Sequence, residues 1–133
     1  EMPLVEKAVK ADAPEAMLFL QKNQLGTADA VLAAAPAIAA HEGDVMVLYA
    51  DTPLITPQTI ARLRQRLDAG AAVAVLGFRA KNPAGYGRLL THGGDELAAI
   101  REEKDATAAE RAIDLCNSGV LAFRVPDLVS LLR

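Results

Sequence analysis

A single aspartate, Asp51, directly follows the apolar segment VMVLYA and precedes Thr52-Pro53. In an open α/β sheet, ligands bind beyond the carboxyl ends of the strands, where this carboxylate would lie if the apolar segment is a strand. A carboxylate there can hold Mg²⁺, which needs only one or two protein oxygens when a phosphate supplies others. Aspartate before Thr-Pro is equally suited to starting a turn or capping a helix, and spacing alone favours neither interpretation.

The segment PAGYGRLL, residues 83–90, places Tyr86 between two glycines. Gly85 and Gly87 allow the backbone to turn tightly and expose amide donors, so Tyr86 could cover a ligand there. The ordinary alternative is a loop that leads into a hairpin, and without further context that interpretation is preferred. Arg88 either pairs with a phosphate or lies at a solvated strand edge, which is the commoner place for an arginine.

Two later segments carry polar groups that could meet a ligand with several hydroxyl groups. REEKDA, residues 101–106, offers a glutamate for the hydroxyls and Lys104 for a phosphate, although such a charged segment is usually a solvated loop. Asn117 interrupts an apolar strand, and a buried amide needs partners, so it is either tied to backbone or offered to a ligand. No partner pattern for metal or nucleophilic chemistry surrounds His41, His92, Cys116 or Ser118.

Composition restricts the class of protein. The chain has 133 residues, enough for one domain with a core, and 52% of them are hydrophobic, yet no apolar run reaches the ~18 residues of a membrane span. With no signal segment visible, we expect a cytoplasmic protein that does not bind membranes. The single Cys116 excludes an internal disulfide and a cysteine zinc cluster. A net charge of −3, scarce aromatic residues and no basic cluster argue against nucleic-acid binding.

Apolar runs alternate with amphipathic ones, which predicts an α/β domain with a parallel sheet. The predicted strands are residues 16–20, 44–51, 71–78 and 114–125, with a hairpin that turns at Gly93-Gly94 between RLLT and LAAI. The predicted helices are the opening EMPLVEKAVKA, residues 27–40 with a break near Pro36, a segment that Thr56 caps, a short one with a Thr107–Glu110 capping box, and the closing VPDLVSLLR.

Five segments, in this order along nearly all 133 residues, resemble one family: QKNQLGTADAV, LYADTPLI, NPAGYGRLL, REEKDAT and NSGVLAF. The family is the uridylyltransferase domain of the bacterial bifunctional N-acetylglucosamine-1-phosphate uridylyltransferase/glucosamine-1-phosphate acetyltransferases. Each segment alone is a weak signal, whereas five at the right intervals are specific. The resemblance implies an α/β, Rossmann-like nucleotidyltransferase fold, with a mostly parallel sheet, helices on both faces and a β-hairpin.

The resemblance also implies a function. UMP would pass from UTP to N-acetylglucosamine 1-phosphate, giving UDP-N-acetylglucosamine and pyrophosphate for peptidoglycan and lipopolysaccharide precursors. Asp51 would be a Mg²⁺ ligand. The residues that would form the uracil pocket are Gln21, Gln24, Gly26 and Thr27. The residues that would lie at the sugar are Tyr86, Gly87, Glu102 and Asn117. Before the resemblance is considered, Gly26-Thr27 could equally be an ordinary turn between a strand and a helix.

The chain departs from the family pattern in three ways. Asp29 stands where the family commonly has histidine, and Ala50 stands where it has glycine. The opening strand with its glycine-rich triphosphate loop, a second metal-binding asparagine and the acetyltransferase β-helix do not occur in these 133 residues. We therefore expect residues 1–133 to be a partial nucleotidyltransferase domain without transferase activity of its own, from a homotrimeric parent protein. Two alternatives stay open: a cytidylyl- or guanylyltransferase of the same superfamily, and a non-catalytic α/β binding module.

Overall fold

A computed structural model of the chain describes residues 2–23, 25–125 and 127–128, which divide into two compact units. The first unit contains the described residues up to His41, and the second begins at Glu42. The helices of the first unit are α1 (Met2–Asp12), α2 (Thr27–Ala33) and α3 (Ala35–Ala39). The break predicted near Pro36 is confirmed, since Ala34 ends α2 and Pro36 lies in the first turn of α3, where a missing N–H costs no hydrogen bond.

The strand predicted at residues 16–20 is wrong. Within the described residues this segment pairs with no other strand, and Met17, Phe19 and Leu20 are exposed. An apolar run becomes a strand only where a neighbouring strand takes up its backbone hydrogen bonds. Lys10 donates instead to the carbonyl oxygen of Ala16 at 2.6 Å, which ties the start of the segment to α1.

The second unit is built on a five-stranded sheet in the described part of the chain. Its strands are β1 (Asp44–Val47), β2 (Val73–Arg79), β3 (Arg88–Thr91), β4 (Leu97–Arg101) and β5 (Leu115–Arg124). The strand order is β1-β5-β3-β4, and β2 also pairs with β5. The predicted strands 71–78 and 114–125 and the hairpin exist with ends shifted by one or two residues. The strand predicted at 44–51 is shorter than expected, because β1 ends at Val47 and the chain then enters the turn that contains Asp51.

The prediction of a mostly parallel sheet is wrong for the described strands, because every observed pairing is antiparallel. The expected strand–helix–strand unit is present, with β1 and β2 running in the same direction. The two are not neighbours, however, because β5 lies between them and pairs through Phe123 with Val45 on one side and Val73 on the other. A strand from far along the chain therefore sets the sheet's hydrogen bonding.

Helix α4 (Pro57–Asp68) packs against this sheet. The Thr59 N–H donates to the Thr56 hydroxyl, which confirms the predicted cap. Leu63 and Leu67, four residues apart on one face, are buried in a cluster whose sheet members are Ala74, Val120 and Ala122. Burying each leucine stabilises the fold by about 1.5–3 kcal/mol.

The hairpin and the segment after it follow local signals. Gly93 and Gly94 both have positive φ at the turn between β3 and β4. A 3₁₀ turn (Glu103–Asp105) and α5 (Ala108–Arg111) then lead into β5. The capping box is confirmed: Thr107 and Glu110 exchange hydrogen bonds, and the Thr107 amide is the main reason that the pKa of Glu110 is lowered. In the ranges that the structure describes, no helix is both long and apolar enough to cross a bilayer.

Candidate functional site

A β-bulge around Ser118 interrupts β5 and forms one side of the candidate site. The pairing of β2 with β5 shifts its register between Val75 and Gly77. The Ser118 hydroxyl donates to the carbonyl oxygen of Leu76 at 2.7 Å, replacing a ladder hydrogen bond. Bulges re-aim the side chains beside them, and the residue next to this one is Asn117.

Asn117 is held by backbone on one side only. The backbone N–H of Asn117 donates to the Gly87 carbonyl oxygen at 2.8 Å, and the side-chain Oδ1 accepts from the Gly119 N–H at 2.9 Å. Because a backbone N–H must donate, the side-chain atom facing Gly119 is the oxygen. The Nδ2 group of the same amide donates to none of the residues that the structure describes. Of the two predicted roles for this amide, the tie to backbone is observed at its oxygen, and the contact with a ligand stays a prediction.

Glu102 and Gly87 are in close contact. A Cβ atom on Gly87 would lie 3.2 Å from Glu102 Oε1 and 3.4 Å from Ile100 Cγ2. Gly87 is buried and Glu102 is exposed. Together with the Asn117–Gly87 hydrogen bond, this contact brings three of the four predicted sugar-side residues to one place.

Tyr86, the fourth, is 46% exposed and packs edge-on against Phe78, with ring centroids 5.0 Å apart. This T-shaped contact is a favourable aromatic geometry, and it fixes the ring against β2. Tyr86 directly precedes Gly87 in the chain, so its backbone adjoins the other three residues.

The Asp51 turn is anchored to the bulge as well. The Tyr49 carbonyl oxygen accepts from the Thr52 N–H and hydroxyl, and Asp51 is exposed within this turn. The Tyr49 ring lies against Gly119, where it leaves no room for a side chain. Ala50 needs no left-handed backbone, since no described residue other than glycine has positive φ, which explains why alanine is tolerated there.

The donor set for a metal ion is small. The described residues contain no cluster of three or more His, Cys, Asp or Glu side chains that could hold one. Asp51 by itself offers an exposed carboxylate. Such a site fits an ion that takes one protein oxygen and fills its remaining positions with phosphate oxygens and water, as Mg²⁺ does.

Arg88 does not lie at a solvated strand edge, the commoner of its two predicted environments, and its pairing with a phosphate stays a prediction. Its side chain is 1% exposed, so it does not solvate a strand edge. It donates to the carbonyl oxygens of Tyr86 and Arg111 and to Glu103 Oε2, the last at 2.6 Å. The hydrogen bond from Arg88 is the main reason that the pKa of Glu103 is lowered, and the Gly85 N–H adds to it. The sequence gives one hint of this ion pair. Arg88 directly follows Gly87, and Glu103 directly follows Glu102, and both preceding residues are predicted to lie at the sugar.

The first unit explains Asp29, for which the sequence offered no account. Gln21 Nε2 donates to Asp29 Oδ2 at 2.7 Å and to the Gly26 carbonyl oxygen at 3.1 Å. Gly26 caps α2 with a φ of 112°, and Thr27 begins the helix. Gln21, Gly26 and Thr27 are thus brought together, with Asp29 as a partner that sequence reasoning missed. Gln24 lies outside the described residues.

A cavity of about 980 Å³ lies elsewhere in the second unit. It is lined by α4, β2 and the β3–β4 hairpin, and none of the predicted site residues lines it. Its walls combine apolar residues and the backbone of β2 with charged side chains, of which Arg66 and Asp95 pair with each other. We place the candidate site at the Asn117 bulge instead, because the residues that the motifs single out come together there.

The MobA-like NTP transferase domain matches residues 6–115. The chain belongs to this family. It is 59% identical over 119 residues to the bifunctional protein GlmU of Azorhizobium caulinodans, covering 90% of this chain, and 55% identical over 129 residues to that of Xanthobacter autotrophicus, covering 97%. The chain spans 26% and 29% of the lengths of these two relatives.

The fold comparison agrees. A structure of CMP:2-keto-3-deoxy-manno-octonic acid synthetase complexed with CTP superposes with a TM-score of 0.72 at 20% identity, over 97% of this chain and 56% of that one. The α/β nucleotidyltransferase fold and the resemblance stated from the sequence are thereby confirmed. Nucleotidyltransferase domains of this kind typically use a divalent metal ion.

Asp29 provides a test within the first unit. Asp29→Ala removes one of the two acceptors of the Gln21 amide and leaves only the Gly26 carbonyl oxygen, and a hydrogen bond of this kind contributes about 0.5–1.5 kcal/mol. If Gln21 reads uracil, we expect the Kd for UDP, measured by calorimetry, to rise roughly threefold to tenfold. Asp29→Asn, which keeps an acceptor oxygen but loses the charge, should stay within about twofold of the starting chain. Equal affinity in the alanine variant and the starting chain would contradict the role of Asp29.

Proposed function

We propose that this domain serves the transfer of UMP from UTP to N-acetylglucosamine 1-phosphate, giving UDP-N-acetylglucosamine and pyrophosphate. The observation that carries the proposal is the convergence of Gly87, Glu102 and Asn117 at the bulge of β5. Three segments that are far apart in sequence meet there, and each belongs to a motif by which the chain resembles the uridylyltransferase family. The GlmU relatives support the same reading.

The groups at the site suit an acetylated amino sugar. The Glu102 carboxylate accepts hydrogen bonds from hydroxyl groups, and Asn117 Nδ2 donates to a hydroxyl or carbonyl oxygen. Gly87 leaves room for the ring to approach because it has no side chain. Tyr86 borders the position with an apolar ring.

The reaction needs positioning more than covalent help from protein. An oxygen of the sugar phosphate attacks the α-phosphorus of UTP, a new P–O bond forms, the bond to the β-phosphate oxygen breaks, and pyrophosphate leaves with the electron pair. Orienting the two substrates in line supplies much of the rate. Asp51 would hold Mg²⁺, which when bound neutralises phosphate charge. Gln21, Gln24, Gly26 and Thr27 would hold the uracil through amide groups and close backbone.

The proposal extends to the protein that carries the domain. Residues 1–133 would be the uracil-binding and sugar-binding portion of the uridylyltransferase domain, in a cytoplasmic homotrimer. Its product would feed peptidoglycan and lipopolysaccharide synthesis.

Nucleotide binding by the 133-residue chain tests the proposal. In calorimetric titrations with Mg²⁺ present, we expect UDP-N-acetylglucosamine to bind more tightly than UDP, and UTP more tightly than CTP or GTP. The first difference reports the sugar side, and the second reports the base. A preference for CTP or GTP would favour the cytidylyl- or guanylyltransferase alternative. Binding of no nucleotide, with no shift in thermal stability, would favour the non-catalytic module.

A further inference from the structure

We propose that Arg88 and Glu103 are positioning residues of the sugar side: their ion pair holds residues 85–87 against residues 102–105, and so fixes the Glu102 carboxylate over Gly87. The inference rests on the proposed function. Neither residue touches the place where the sugar would lie. Both act through their neighbours in sequence.

Arg88 joins three separate segments. Its guanidinium donates to the Tyr86 carbonyl oxygen in the glycine-rich loop, to Glu103 in the 3₁₀ turn at 2.6 Å, and to the Arg111 carbonyl oxygen at the end of α5 at 3.2 Å. Its Cα also pairs with Cys116, next to Asn117. Two of these segments carry proposed sugar contacts: the loop contains Tyr86 and Gly87, and Glu102 directly precedes the 3₁₀ turn.

Glu103 is held from two sides. Its carboxylate accepts from Arg88, and its carbonyl oxygen accepts from Arg111 Nε at 3.2 Å. Arg88 and Arg111 therefore restrain the backbone next to Glu102. Its Oε1 is consequently held at the short distance from Gly87 that the absence of a Cβ allows.

A buried cation is a costly way to join two loops. Removing an arginine from water carries a penalty that an apolar residue of similar volume avoids, and Arg88 Nε finds no hydrogen-bond partner among the described residues. What arginine offers in exchange is a planar fork that donates in several fixed directions. The directions of these hydrogen bonds fix the position of one loop relative to the other. Apolar side chains in the same place would restrict that position less.

Glu103→Gln tests the proposal, because Glu103 is half-buried and glutamine preserves its shape. Relative to the starting chain, we expect the Kd for UDP-N-acetylglucosamine to rise roughly tenfold, while the Kd for UDP stays within about twofold. Amide hydrogen exchange at residues 85–87 and 102–105 should become faster. Asp95→Asn is the matched control, since it removes the charge from an exposed ion pair with Arg66, at the β3–β4 turn. It should change neither the affinities nor the exchange.

The result that overturns the positioning role is specific. If the starting chain prefers UDP-N-acetylglucosamine over UDP and Glu103→Gln keeps that preference, the ion pair does not position the site. If the starting chain shows no preference for the sugar nucleotide, the proposed function fails first and the positioning role fails with it. Arg88→Lys should restore part of the sugar preference that Arg88→Met loses, because lysine can still pair with Glu103. If Arg88→Lys and Arg88→Met lose the sugar preference equally, the positive charge at position 88 does not position the site.

Discussion

Alanine in place of Gly119 is expected to lower the free energy of unfolding by about 3 kcal/mol or more. Gly119 has a φ of 80°, which disfavours any residue with a side chain. The added Cβ would stand only 2.0 Å from Cε2 of the Tyr49 ring, and a ring edge cannot move aside as the end of a flexible chain can. The Tyr49 turn would have to shift, and Asp51 would move with it. Urea denaturation followed by circular dichroism measures the loss.

Gly70→Ala separates the two causes of this loss. Gly70 has a φ of 101°, but a Cβ there meets nothing within 4 Å. The free energy of unfolding of Gly70→Ala should therefore fall only by the cost of a side chain at positive φ, about 1 kcal/mol. Equal losses in the two variants would show that the Tyr49 contact is not tight. Adding Tyr49→Ala to Gly119→Ala should recover part of the stability if the clash is real.

Alanine in place of Gly87 is expected to raise the Kd for UDP-N-acetylglucosamine by about 100-fold, with little effect on UDP. The Cβ would come within 3.2 Å of Glu102 Oε1 and 3.4 Å of Ile100 Cγ2, so the carboxylate has to give way by a few tenths of an ångström. If the sugar approaches Gly87 as proposed, the displaced carboxylate and the added methyl group would both interfere with it. Stability should fall only slightly because the nearest atom ends an exposed side chain. Calorimetry with both ligands measures the effect.

Gly94→Ala is the control for that substitution. Gly94 lies in the hairpin turn, with open space around its missing Cβ and a φ of 56°. It should cost about 1 kcal/mol of stability and leave the sugar preference unchanged. A loss of sugar preference in both glycine variants would mean that general loosening, and not the Gly87–Glu102 contact, controls binding.

The features that the sequence predicted well depend on residues a few positions apart. The Thr56 cap, the Thr107–Glu110 box and the glycine turn of the hairpin each satisfy backbone groups within one turn of chain, so neighbouring residue types are sufficient to predict them. The motif resemblance named Gly87, Glu102 and Asn117 together, and the structure shows that they lie close to one another; their contact with a sugar stays a prediction.

The features that only the tertiary structure decided join distant parts of the chain. Insertion of β5 between β1 and β2 makes the described sheet antiparallel, and no local pattern reports which strand becomes a neighbour. Arg88 looks like a surface residue until β3, the 3₁₀ turn and α5 close around it. The Gln21–Asp29 hydrogen bond needs a loop to return on itself. Residue types determined which groups were available for chemistry, and long-range packing determined which of them meet, because a contact depends on how the whole chain folds.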